Sequence, residues 1–223
     1  MKDLSAMLLC DFYKISHREQ YPEGTETVYA TWIPRASRLE GVNKVVAYGF
    51  QGFIKNYLID FFNENFFERP RHEVIEEYKR IISNTLGIKD VCAFHIRELH
   101  ELGYLPLEIK ALPEGTLVPL RVPMLTIENT HPKFFWLTNY IETLASAEMW
   151  QASTSATIAH QYRQILDKYA EETGGDPEFV QFQGHDFSMR GMGGLQSAMT
   201  SGSGHLLSFT GTDTIPAVLY AEK

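Results

Sequence analysis

From His185 to Gly194 the chain reads HDFSMRGMGG, with an imidazole, a carboxylate, an aromatic ring and a guanidinium ahead of three glycines. At the end of a strand such a run can do three things. Phe187 can offer one face to a flat ring, Arg190 can reach an anion, and the glycines let a ligand approach the backbone. The same residues also read as a polar surface loop in which Asp186 caps the next turn. The run is neither a phosphate-binding loop with Gly-Lys-Ser/Thr nor a dinucleotide fingerprint. A second carboxylate, Asp213, follows in FTGTDT. It reads either as a cap for the following helix or as the acceptor for an amide N–H₂. In the second role it would repel a carboxylate-bearing ligand.

Two further groups carry candidate chemistry. Asp11, Tyr13 and His17 lie near the start of the chain. They suit loop and cap roles, and Tyr13 can equally stack on a heteroaromatic ring. Arg35 and Arg38 are either a solvated strand edge or phosphate contacts. His131 beside Pro132 suits a turn. His95, His100 and His160 lack ligand spacing, so no side-chain metal site is assigned.

The elements that must position these groups follow from pattern. Thr25 to Ile33 alternates and predicts a strand. Phe53, Ile54, Tyr57, Leu58, Phe61 and Phe62 predict a helix with a broad apolar face. Further helices are expected over 74–83, closing near Gly87, and over 96–102, stopped at Gly103. Residues 105–130 read as short strands with a turn at Pro113-Glu114-Gly115. Two separate helices are expected over 133–147 and 154–173. Phe179–Phe182 reads as a strand, followed by a small-residue helix and a second strand ending at Phe209. The last part, from Ile215, predicts a helix. This order gives an α/β unit with Phe182 and Phe209 ending neighbouring parallel strands. His185–Phe187 and Thr212–Thr214 then share the rim where such folds carry their chemistry. One such unit leaves strand edges open, so the chain is expected to need a C-terminal half or a partner.

Bulk properties narrow the class. With 223 residues, 44% hydrophobic and 22% charged, the chain can bury a core and has no signature of disorder. Net charge is -8, which argues against a general nucleic-acid surface. Two distant cysteines, Cys10 and Cys92, give no disulfide framework or cysteine cluster. No apolar run reaches membrane-spanning length, and a cytoplasmic location is the expectation.

Four blocks in order resemble the nicotinamide phosphoribosyltransferase family. They are LLCDFYKISHREQYPEGTETVYA from Leu8, IENTHPKFFWLTNYIETLASAEMW around Trp136–Asn139, HDFSMRG from His185 and FTGTDT from Phe209. The resemblance runs from near residue 8 to the end. It implies an α/β fold: a mixed α+β region over 1–178 with dimerisation and base-stacking elements, then the start of an incomplete α/β barrel over 179–223. It implies transfer of a phosphoribosyl group from phosphoribosyl pyrophosphate to nicotinamide in NAD salvage, giving nicotinamide mononucleotide. It also implies Mg²⁺ with the pyrophosphate substrate, ATP coupling in a full-length enzyme, and a homodimer with shared active sites.

Carried over residue by residue, Phe187 forms one face of a ring sandwich and Tyr13 of a neighbouring subunit the other. Asp213 holds the carboxamide N–H₂. Arg190 lies near ring and sugar phosphate, Asp11 lies close by, and Arg35 binds phosphate from the partner. The catalytic set so implied is Asp11, Arg190 and Asp213. Family members are about twice as long, so this chain is expected to hold the base-binding half of a site. The phosphoribosyl-binding segments and the phosphorylated histidine fall outside it, and His185 is not that histidine. Ser188-Met189 stands where the family commonly has Gly-Tyr, between two site residues. The alternatives are a nicotinate phosphoribosyltransferase and a catalytically incomplete binding or regulatory fragment.

Overall fold

The computed structural model describes residues 4–222. The chain is a mixture of helix and sheet and divides into two compact units, each built from three separate segments. The first unit takes residues 1–31, 51–110 and 126–146, and the second takes 32–50, 111–125 and 147–223.

The first unit is organised by aromatic rings. Its helices include α1 (Lys14–His17), α2 (Phe50–Phe53), α3 (Arg71–Leu86), α4 (Phe94–Leu102) and α5 (Leu137–Tyr140). The expected apolar helix is present, but it continues past α2 as wide π-type turns over Ile54–Phe61 and Asn63–Phe67. Rings four residues apart meet along it, with Phe53–Tyr57 and Tyr57–Phe61 centroids about 6 Å apart. Val74, Tyr78 and Ile82 give α3 a buried stripe at four-residue spacing. α3 and α4 end at Gly87 and Gly103, both left-handed, where the sequence expects them to stop.

Three strands, β1 (Tyr29–Trp32), β3 (Leu107–Ala111) and β5 (Leu125–Asn129), form a sheet in the order β1-β5-β3. Strand β1 is shorter than the expected 25–33. Its approach is held by buried Asn129, which accepts from Val28 N at 2.7 Å and donates to Glu26 O and His131 O. An amide with both ends satisfied can be buried at little cost.

The second unit is organised by small residues. Strand β2 (Lys44–Val46) pairs antiparallel with β4 (Leu117–Pro119), Val45 opposite Val118. The long helix α6 (Glu142–Thr173) supplies side chains to that ribbon: Ser153 Oγ donates to Val46 O at 2.6 Å, and Val46 N donates to Thr157 Oγ1 at 2.9 Å. This single helix replaces the two expected over 133–147 and 154–173. No Gly or Pro lies between residues 142 and 173, so nothing in that stretch interrupts the ladder.

Helix α8 (Leu195–His205) packs on α6 through glycine. A Cβ at Gly204 would lie 2.7 Å from Ala152 O, closer than real Cβ contacts allow. Ser155 Oγ donates to Ser201 O in the same seam.

The α/β rhythm of the last fifty residues is present with a shifted register. The strand expected over 179–182 is helical. Asp176 caps a turn at Pro177–Phe179 by accepting from Glu178 N at 2.9 Å, and α7 (Val180–Gln183) continues it, overriding the β-formers Val180 and Phe182. The parallel pair is β6 (His185–Asp186) with β7 (Gly211–Thr212), so Phe182 and Phe209 precede the strands instead of ending them. The helix α9 (Ile215–Ala221) follows. Among the described residues no helix is long and apolar enough to cross a membrane.

Candidate functional site

Strand alternation sorts the HDFSMRG run. In extended backbone successive side chains point to opposite faces. His185 and Phe187 fall on one side with ring centroids 4.6 Å apart, and Phe187 is 63% exposed. Asp186 points the other way and is buried. Its Oδ1 accepts from Ser188 N at 2.9 Å and starts the 3-10 turn Ser188–Gly191 that carries Arg190, which is exposed. Burial opposes the Asp186 charge, but the Ser188 hydrogen bonds, nearby Thr214 and the His205 imidazole together hold its carboxyl below the usual range. Its Oδ2 and Thr214 Oγ1 are both buried and make no hydrogen bond of standard geometry.

The parallel pairing brings Asp213 to the same rim. The ladder continues past β7, with Asp213 N donating to Asp186 O at 2.9 Å. Helix α9 begins after Thr214 and has no side-chain cap, so Asp213 is not a helix cap. Its carboxylate instead lies 2.9 Å from His185 Nε2 through Oδ1, with the side chain 61% exposed. Close backbone approach makes room for this pair. A Cβ at Gly211 would sit 2.6 Å from His185 Nδ1 and 3.0 Å from Gly184 O. On the far side His205 Nε2 donates to Gly211 O at 3.0 Å.

Phe187, Arg190 and Asp213 are therefore gathered on one strand–helix–strand unit. Arg35 belongs to the same compact unit, exposed and without a carboxylate partner among the described residues, as is Arg38.

Asp11 and Tyr13 lie in the first unit. Asp11 Oδ2 accepts from Thr143 Oγ1 at 2.7 Å. Tyr13 is exposed, tilted against His17 with centroids 5.0 Å apart, and Lys14 Nζ sits 5.1 Å from its ring centre. Lys14 itself is buried and ion-paired with Glu142, which fixes this segment to the start of α6.

Two pairings escaped sequence reasoning. His185 stood out in its run, but its tie to Asp213 spans 28 residues and exists only through strand pairing. Lys14 lies in the N-terminal block, but its ion pair with Glu142 spans 128 residues.

Among the described residues no cluster of three or more His, Cys, Asp or Glu is arranged to hold a metal ion. Two hollows of about 470 and 430 Å³ occur in the first unit, lined respectively by charged residues such as Lys79 and Asp90 and by apolar ones such as Leu58 and Phe67. Neither includes a residue of the rim.

The fold recurs in a solved structure. A crystal structure of human nicotinic acid phosphoribosyltransferase superposes with a TM-score of 0.61 at 21% identity, over 94% of this chain and 37% of that one. Sequence comparison is sharper. Residues 5–109 match the nicotinamide phosphoribosyltransferase N-terminal domain. The chain is 55% identical over 218 residues to a nicotinamide phosphoribosyltransferase of Acinetobacter baylyi, covering 96% of this chain and 43% of the relative. It is 37% identical to that of Mycoplasma genitalium and 35% to that of Xanthomonas campestris, over 50% and 44% of those proteins. Over nearly all of its length the chain is similar to the N-terminal half of nicotinamide phosphoribosyltransferases. It spans about half the length of the curated relatives it matches.

Proposed function

We propose that this chain provides the base-binding half of an active site that joins nicotinamide to phosphoribosyl pyrophosphate. The observation that carries the reading is that Asp213 and the exposed ring of Phe187 both meet the His185 imidazole on one rim, in a chain 55% identical to a nicotinamide phosphoribosyltransferase.

In this reading the pyridine ring lies on Phe187, and Tyr13 of a second copy covers its other face. Asp213 accepts a hydrogen bond from the carboxamide N–H₂. The ring nitrogen attacks C1 of the ribosyl group; the N–C1 bond forms, the C1–O bond breaks, and pyrophosphate leaves with its electron pair. The ring becomes cationic as this happens, and the Asp213 and Asp11 carboxylates stabilise the developing charge. Holding base and sugar in line supplies much of the remaining acceleration. Arg190 and, across the dimer, Arg35 suit phosphate oxygens.

Mg²⁺ would travel with the pyrophosphate substrate, held mainly by phosphates and water. ATP coupling and the remaining phosphoribosyl contacts belong to a C-terminal half. A homodimer in the cytoplasm completes the proposal. A nicotinate enzyme is opposed by Asp213, which would face the substrate's own carboxylate.

The test is a titration of nicotinamide and nicotinate into the chain, followed by two-dimensional NMR. The native chain should prefer nicotinamide, and Asp213→Asn should relax that preference by about tenfold. An unchanged ratio in Asp213→Asn, or no binding of either base, overturns the reading.

A further inference from the structure

The rim holds a second polar group beside Asp213 with no role in the scheme above. His185 Nε2 lies 2.9 Å from Asp213 Oδ1, both side chains reach solvent, and the imidazole is tilted against the Phe187 ring at 4.6 Å. A carboxylate can only accept, so Nε2 carries the proton in this contact. One Asp213 oxygen is thereby occupied and the carboxylate is held in a single orientation. The geometry of the strands is built around this arrangement, since a Cβ at Gly211 would meet His185 Nδ1 at 2.6 Å.

We propose that His185 is a specificity-determining residue of the base site, through the Nε2–H···Oδ1 contact that orients Asp213. The proposal rests on the base-site reading above. With one oxygen held by His185, Asp213 turns its other oxygen towards the substituent, which suits a carboxamide N–H₂ and rejects a carboxylate. The other titratable or charged groups on the surrounding elements are Asp186, the next residue of β6; Arg190, on the turn after it; and His205 of α8, tied to Gly211 O. Asp186 is buried on the opposite face of the strand, and Arg190 is exposed and positive.

The experiment measures affinities for nicotinamide and nicotinate in four chains: native, His185→Gln, His185→Ala and Asp213→Asn. Glutamine keeps a donor that can reach Asp213, and alanine does not. His185→Gln should retain most of the native preference for nicotinamide. His185→Ala should lose about fivefold in preference, because Asp213 is no longer oriented. If Asp213→Asn relaxes the preference while His185→Ala tracks the native chain, the inference is wrong and the base-site reading stands. If Asp213→Asn also has no effect, or the native chain binds neither base, both fall.

Discussion

The molecule contains two histidine environments that differ in almost every respect. His95, on α4 in the first unit, is 8% exposed and packs edge-on against Trp136 at 5.0 Å, among the rings of Tyr78 and Tyr140. Burial and then the nearby Arg18 charge push its pKa down to about 4. His185, on β6 in the second unit, reaches solvent and meets a carboxylate. One imidazole is part of a core that excludes charge, and the other is part of a surface that displays it. The surrounding residues account for the contrast. Large rings fill the first unit, while glycine and alanine in the second let backbones approach until the charged groups have nowhere to go but outward.

Packing variants should separate the two units most strongly. Phe66→Ala in the first unit removes a fully buried ring and should cost about 4 kcal/mol. Gly204→Ala in the second should cost about 2 kcal/mol, although such a change inside a helix ordinarily stabilises by about 1 kcal/mol. Thermal denaturation of both variants checks this pair. A stabilised Gly204→Ala chain would mean that α6 and α8 are not in close contact.

The pH response comes next. The folded pKa of His95 lies below its unfolded value, so the unfolded chain takes up the proton first. Stability should be full above pH 6.5 and fall as pH drops from 6.5 towards 4, by about 3 kcal/mol in all. Urea titrations across that range should show the loss, and His95→Phe should flatten it. A native chain equally stable at both ends would place water, and charge, inside this core.

Thiol reactivity gives the smallest effect. Cys92 is exposed, whereas burial raises the Cys10 pKa, partly countered by its hydrogen bond with Tyr140. Alkylation at neutral pH should label Cys92 first, as read by peptide mass. Equal rates would show that the first unit opens readily around Cys10.

The sequence by itself determined whatever depends on neighbours along the chain. The stops at Gly87 and Gly103 were legible because left-handed termini favour glycine. The α3 stripe was legible because its period is that of a helix, and the HDFSMRG and FTGTDT runs stood out as groups of chemically capable residues. The continuity of α6 was equally available, in the absence of any breaker between residues 142 and 173.

Tertiary structure alone decided the rest. It tied Val180–Gln183, helical where a strand is expected, to the distant Thr210, whose N donates to Gln181 O at 2.9 Å. It placed β6 beside β7, and so joined His185 to Asp213 across 28 residues. It also buried Lys14 against Glu142 across 128 residues. Local preferences act over a few residues, whereas these contacts form only when distant segments close on one another. A periodic pattern marks which face of an element is buried, but not which partner arrives there.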